Sequence, residues 1–156
     1  MTREPFERVV REHGATVYRV VRAVVGPWDA DDAWSDAFLA ALEAYPRLDA
    51  DANVRGWLVT IAHRKAIDVL RRSSRALPVA EVPERPAPSR DPDLDLRRAL
   101  ASLPDRQRSC VVLHHLGGMP FDDVAAALGV SSAAARKASS DGVRRLRTLL
   151  EVGHDD

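Results

Sequence analysis

The chain has 156 residues, with 46% apolar content, 29% charged residues, and equal totals of 23 Lys+Arg and 23 Asp+Glu. That length holds one domain or two very small ones, and the neutral total excludes a uniformly basic nucleic-acid binder, so any basic patch must be local. A single cysteine, Cys110, excludes an internal disulfide; with no leader-like start and no apolar run of membrane-spanning length, the expectation is a soluble cytoplasmic protein.

The first block, residues 1 to 75, is helical in pattern. In "FERVVREHGATVYRVVRAVVG", Phe6, Val9, Val10, His13, Val17, Val20, Val21 and Val24 recur at spacings of three and four. That is the apolar stripe of an amphipathic helix, and Gly26-Pro27 ends it. "DADDAWSDAFLAALEAY" follows, with acids where a helix N-terminus favours them and an apolar face of Trp34, Ala37, Phe38, Ala41 and Leu42. "VRGWLVTIAHRKAIDVLRR" then predicts a longer helix whose basic residues gather in its C-terminal half.

Residues 76 to 95 differ. Prolines at 78, 83, 86, 88 and 92 remove backbone donors and block helix, so the segment reads as an extended tether. Residues 96 to 156 return to helix. "LRRALASL" leads to Pro104, which suits the first turn of "DRQRSCVVLHHL", and Gly117-Gly118 stops that helix. "FDDVAAALGV" and "SSAAARKASSDGVRRLRTLL" then form a helix-turn-helix, with Gly129 at the positive-φ turn position and Ser131 or Ser132 as the cap. No strand is expected. The fold class is all-α: two small helical domains joined by a proline-rich linker, the second a helix-turn-helix.

The three blocks carry net charges of +1, −3 and +2. Cations gather at 63–75 and 136–147. Two basic patches on one tethered chain suit a bivalent binder of a polyanion.

Four constellations carry chemistry. Along "GWLVTIAHRKAIDVLRR", Trp57 and Thr60 precede His63, Arg64, Lys65, Arg71 and Arg72. An aromatic and a hydroxyl beside a basic helix can engage unpaired bases while the cations hold phosphates; periodicity alone favours the core for Trp57. The acids of "DADDAWSDAFLAAL" serve either as helix N-terminal charges or as a docking face for a basic partner. On the last helix, with Ala135 turned inward, Ser139, Gly142 and Leu146 follow on the inner face, and Ser132, Ala133, Arg136, Lys137, Ser140 and Arg144 face outward, able to meet phosphates and base edges. Cys110 and His114 share a helix face but lack two further ligands nearby, so no metal and no cofactor is expected. No catalytic spacing appears, and an enzyme is not expected.

In order along the chain, these blocks resemble a bacterial RNA polymerase sigma factor of the extracytoplasmic-function type. "DADDAWSDAFLAAL" is similar to the family's polymerase-binding helix. "GWLVTIAHRKAIDVLRR" is similar to its W-L-x-x-I-A-x-N-x-x-I-D-x-x-R-R pattern. "LASLPDRQRSCVVLHHLGGMPFDDVAAALGVS" is similar to its L-P-x-R-Q-R segment leading into a helix-turn-helix. The resemblance covers nearly the whole chain.

It implies that residues 1–75 bind core polymerase and the −10 element, 76–95 form the linker, and 96–156 read the −35 element. The polymerase-binding residues would be Asp31, Asp32, Ser35, Asp36, Phe38 and Leu39. The −10 contacts would come from Trp57, Thr60, His63, Arg64, Lys65, Arg71 and Arg72. The −35 contacts would come from Ser132, Ala133, Arg136, Lys137, Ser140 and Arg144. Core RNA polymerase, promoter DNA and an anti-sigma factor are the implied partners.

The sequence departs from the family at Arg64, where an Asn is usual, and at Ser35, where a Gln is usual. Where the recognition helix usually reads T-V-K-S-R-L-S-R-A-R, residues 134 to 143 read AARKASSDGV. Ala135 and Ser139 stand where the family turns Val and Leu inward. A Leu-sized void costs about 2–5 kcal/mol, Gly142 costs about 1 kcal/mol against Ala, and Asp141 would repel phosphate. The expectation is a weak −35 reader. An alternative is a sigma-like regulator that binds polymerase or an anti-sigma partner without opening promoters.

Overall fold

The computed structural model describes residues 3–75 and 92–152. Every regular element among the described residues is helical. The first module comprises α1 (Phe6–Val25), α2 (Ala30–Ala44), a 3₁₀ turn (Tyr45–Arg47) and α3 (Val54–Arg75). The second comprises α4 (Pro92–Ser102), α5 (Asp105–Val111), a π-helical turn (Val112–Leu116), α6 (Phe121–Leu128) and α7 (Ser132–Val152).

The valine stripe of α1 does what its spacing predicts. Val9, Val17, Val20 and Val21 are buried against α2 and α3. The helix ends at Gly26, whose φ of 85° is open to glycine and strained for other residues. Arg3 hydrogen-bonds the carbonyls of Tyr45 and Leu48, and the Tyr45 hydroxyl donates to the Glu4 carbonyl at 2.5 Å. The start of the chain is thereby tied to the end of α2.

The proline-rich tether is shorter than the sequence predicts. Residues 92–95 already belong to α4, because Pro92 at the first helical position loses no intrahelical hydrogen bond. The rest of the tether, 76–91, lies outside the described residues. Pro104 sits one residue before α5 rather than within it.

The helix-turn-helix forms at the predicted place. Gly129 closes α6 with φ 68° and ψ 35°, in the left-handed region. Of the two candidate caps, Ser131 does the work: its Oγ accepts the Ala134 N–H at 3.1 Å.

The two modules also touch one another. α1 lies against α4 and the π turn, and α3 lies against the π turn. Arg55 on α3 donates to the Gly118 carbonyl at 3.1 Å, and the Thr60 hydroxyl lies 4.0 Å from Met119 Sδ. Gly117 sits so close to α3 that a Cβ there would be 2.6 Å from Val59 Cγ1.

Candidate nucleic-acid and polymerase interface

On α2, Asp31, Asp32 and Ser35 are exposed and Asp36 is partly so. Leu39 is 61% exposed and Leu42 is 50% exposed. An acidic, leucine-bearing face is therefore presented outward. Phe38 corrects the expectation. It is only 6% exposed and packs against Trp34 and Phe6, with ring centroids 4.5 and 6.3 Å away. A 100° step per residue turns it inward where Leu39 turns outward, so Phe38 supports this face from beneath. Leu42, one turn past Leu39, belongs to this outward face too, although its spacing places it on the apolar face with Phe38 and Ala41.

Asp36 reaches across to α3, where its carboxylate lies 3.7 Å from Arg72. A cleft of about 650 Å³ runs between the two helices, lined by both residues with Glu43, Lys65 and Arg71. The acidic face of α2 and the basic end of α3 are thus neighbours joined by charge.

The helix α3 presents Arg64, Arg71 and Arg72 to solvent and Lys65 partly so. His63 is a second correction. It is 8% exposed, and burial, with Arg108 and Arg64 nearby, lowers its pKa to about 4. It is neutral near pH 7 and adds nothing to the positive face. Trp57 is half-buried, with its ring 6.3 Å from Tyr45. Thr60 donates to the Gly56 carbonyl at 2.7 Å. Thr60, His63 and Arg64 line a shared recess with Leu113 and Leu128 of the second module. The second module thus lies against part of the predicted −10 surface.

On α7, Ala133, Arg136, Lys137, Ser140 and Arg144 are exposed along one stripe. Ser132 is less available, because its hydroxyl donates to Asp122 at 2.5 Å and pins α7 to α6. Asp141 lies 3.1 Å from Lys137 and 3.7 Å from Arg144. Its charge is drawn to two of the cations on the stripe.

The small residues of the inner face, Ala135, Ser139 and Gly142, are all buried, Ala135 fully so. At Gly142, α5 crosses so near that a Cβ would lie 2.7 Å from Val111 Cγ2. The missing side chain is therefore a condition of this helix crossing. Ser139 is 2% exposed, and its hydroxyl lies 3.3 Å from Nε2 of His115. Beside that pair a recess of about 430 Å³ opens onto the outer stripe. Nearby, His114 stacks on Phe121 with centroids 3.8 Å apart, and the Arg136 guanidinium lies 5.8 Å from the centre of the same ring.

Cys110 is fully buried, and His114 Nδ1 engages the Met119 carbonyl at 2.7 Å. Among the described residues, no group of three or more His, Cys, Asp or Glu is placed to hold a metal. Among them too, no helix is long and apolar enough to cross a membrane.

The Sigma-70 region 2 family model matches residues 9–76, and the Sigma-70, region 4 model matches residues 93–146. The chain is 32% identical over 154 residues to the ECF RNA polymerase sigma factor SigM of Mycobacterium tuberculosis, covering 95% of this chain and 78% of that protein. It is 28% identical to the ECF RNA polymerase sigma factor SigE of Mycolicibacterium smegmatis, over 93% of this chain and 61% of that protein, so it spans about three-fifths of that relative's length. Among solved structures it is similar to CnrH, in complex with the cytosolic domain of CnrY, at 27% identity and a TM-score of 0.74, over 94% of this chain and 88% of that one. The fold is shared with RpoE of Bartonella quintana, in complex with the anti-sigma factor NepR, at 22% identity and a TM-score of 0.76, over 94% and 97% of the two chains.

Proposed function

The chain belongs to the ECF RNA polymerase sigma factors, and from that membership we propose that it binds core RNA polymerase and directs promoter-specific transcription initiation. The observation that carries this reading is the pairing of two surfaces in the matched order. An outward acidic and leucine-rich face stands on α2, and an outward basic stripe stands on α7.

Each surface suits its partner. Asp31, Asp32, Ser35, Leu39 and Leu42 offer charge around apolar anchors, the composition of a protein-docking face. Arg64, Lys65, Arg71 and Arg72 offer phosphate contacts beside Trp57 and Thr60, which could stack on and hydrogen-bond exposed bases of the −10 element. Ala133, Arg136, Lys137, Ser140 and Arg144 form the major-groove side of a recognition helix for the −35 element. Residues 1–75 and the segment from Pro92 onward are read as the two working domains, with 76–91 connecting them. The chain is a specificity subunit in this reading, acting in the cytoplasm, and the chemistry of RNA synthesis stays with the polymerase.

An anti-sigma partner fits the same reading. CnrH is bound to the cytosolic domain of CnrY. A partner that held the two modules together would keep the covered part of α3 away from promoter DNA.

The test is reconstitution with core polymerase on a genomic promoter library, reading run-off transcripts. Promoter-specific transcripts that depend on this chain are expected. Tight core binding with no transcript from any promoter would retire the reading in favour of a regulator that binds polymerase without opening DNA.

A further inference from the structure

We infer that the recess beside α7 seats one backbone phosphate of promoter DNA, held by Arg144, Arg147, Ser140 and His115. The inference rests on the −35 reading and adds His115 and Arg147 to it.

Ser139, 2% exposed, is a small side chain in the wall of the recess. His115, at the end of the π turn, reaches that space and meets Ser139 through Nε2 at 3.3 Å. Which of the two donates depends on the His115 tautomer; with the Ser139 hydroxyl donating, Nδ1 carries the proton and can donate to an acceptor. His114 braces the wall, stacked on Phe121 and edge-on to His115 at 4.8 Å. Arg144, Arg147, Ser140 and Val143 complete the lining.

The lining carries two guanidiniums, two hydroxyls and two imidazoles over an apolar floor of Phe121 and Val143, without a carboxylate, and so suits an anion. Asp141 lies just outside and touches Arg144 at 3.7 Å. The position along α7 selects a DNA phosphate. Arg147 is three residues beyond Arg144 and seven beyond Ser140, so it continues the same outer stripe. From Arg136 to Arg147 the helix rises about 16 Å at 1.5 Å per residue. The major groove is about 12 Å wide. With Arg136 at the base edges and over Phe121 at the near end of the recess, Arg147 at its far end falls past the lip of the groove, where the phosphates stand.

The test uses the full chain, isotope-labelled for NMR, titrated at low salt with a duplex of about 25 base pairs and separately with inorganic phosphate. The duplex is expected to shift the Arg136 and Lys137 signals together with those of His115 and Arg147. Arg147→Gln should lower the slope of log affinity against log salt by about 0.9, the loss of one phosphate contact. His115→Gln should weaken binding by about three- to tenfold, the worth of one hydrogen bond. Arg147 is exposed, so its variant is read on a folded chain even if His115→Gln melts early.

An unchanged slope in Arg147→Gln, with a lowered slope in Arg136→Gln, overturns the phosphate seat and leaves the −35 reading standing. Absence of duplex-induced shifts anywhere on α7 overturns both. Shifts at the recess from inorganic phosphate but not from duplex overturn the DNA assignment.

Discussion

The Arg55 guanidinium donates to the Gly118 carbonyl at 3.1 Å, joining the first turn of α3 to the turn before α6. It is a direct tie between the two modules, and it lies on the same side as Thr60 and Met119. A hydrogen bond from a charged donor contributes about 1.5–3 kcal/mol at best, and less at this exposed position. Arg55→Ala is therefore expected to loosen the modules without unfolding either. Small-angle scattering should report a larger radius of gyration, and the α1 and α3 cores should keep their amide protection. An unchanged scattering curve would mean that the apolar contact of Gly117 with Val59 holds the modules without Arg55.

Phe38 and Leu39 are adjacent in sequence and opposite in role. Phe38→Ala removes a buried ring and should cost about 3–5 kcal/mol of stability. Leu39→Ala should leave unfolding unchanged and weaken core-polymerase binding by about tenfold, as expected for an interface anchor. Urea titration and a polymerase pull-down with purified chains separate the two. Equal loss of polymerase binding at unchanged stability in both variants would contradict the inward placement of Phe38.

Much of this was legible in the sequence because periodicity and turn chemistry are local. The valines of α1, the breaks at Gly26 and Gly129, and the order of the helices all follow from spacing. Side-chain direction on α2 was less so: the Phe-Leu pair reads as one apolar unit until the helix phase is fixed by packing. His63 looked cationic because charge in sequence carries no information about burial. The π turn at 112–116 has no sequence mark, and it is what brings His115 to Ser139. Arg147 could have been found by extending the outer stripe one more turn. Arg55 could not, because its partner lies 63 residues away.

Gly142 is expected to resist replacement. Ala would gain about 1 kcal/mol in helix propensity, but its methyl would lie 2.7 Å from Val111 Cγ2. Overpacking of that kind costs about 1–3 kcal/mol, so Gly142→Ala should be net destabilising. Val111→Ala makes room, and the two changes together should be less harmful than their sum. A double-mutant cycle in urea measures the coupling; additivity would show that the helices shift apart freely.

His63 makes stability depend on pH. Its folded pKa of about 4 lies below the ordinary 6.5. Between those values the unfolded chain binds the proton and the folded chain does not. Stability from this source is full above about pH 6.5 and falls as the pH drops towards 4, by on the order of 3 kcal/mol in total. His115, whose pKa burial and His114 also lower, acts in the same direction. His63→Gln should flatten the profile of unfolding free energy between pH 4 and 6.5, whatever it does to the absolute value. A variant profile as steep as the parent's would assign the acid sensitivity elsewhere.

Asp141 is the acid on a stripe that otherwise carries cations and small polar residues. It lies within 3.1 Å of Lys137 and 3.7 Å of Arg144. Two consequences follow from removing it. The cations are released for phosphate, and the repulsion between Asp141 and the DNA backbone disappears. The ion pairs are exposed, so their loss should change stability little. Asp141→Asn should therefore tighten duplex binding by several-fold at about 50 mM salt, and the gain should shrink towards about 300 mM as screening grows. Fluorescence anisotropy across that range measures it. If the variant binds no more tightly at low salt, Asp141 does not limit this helix.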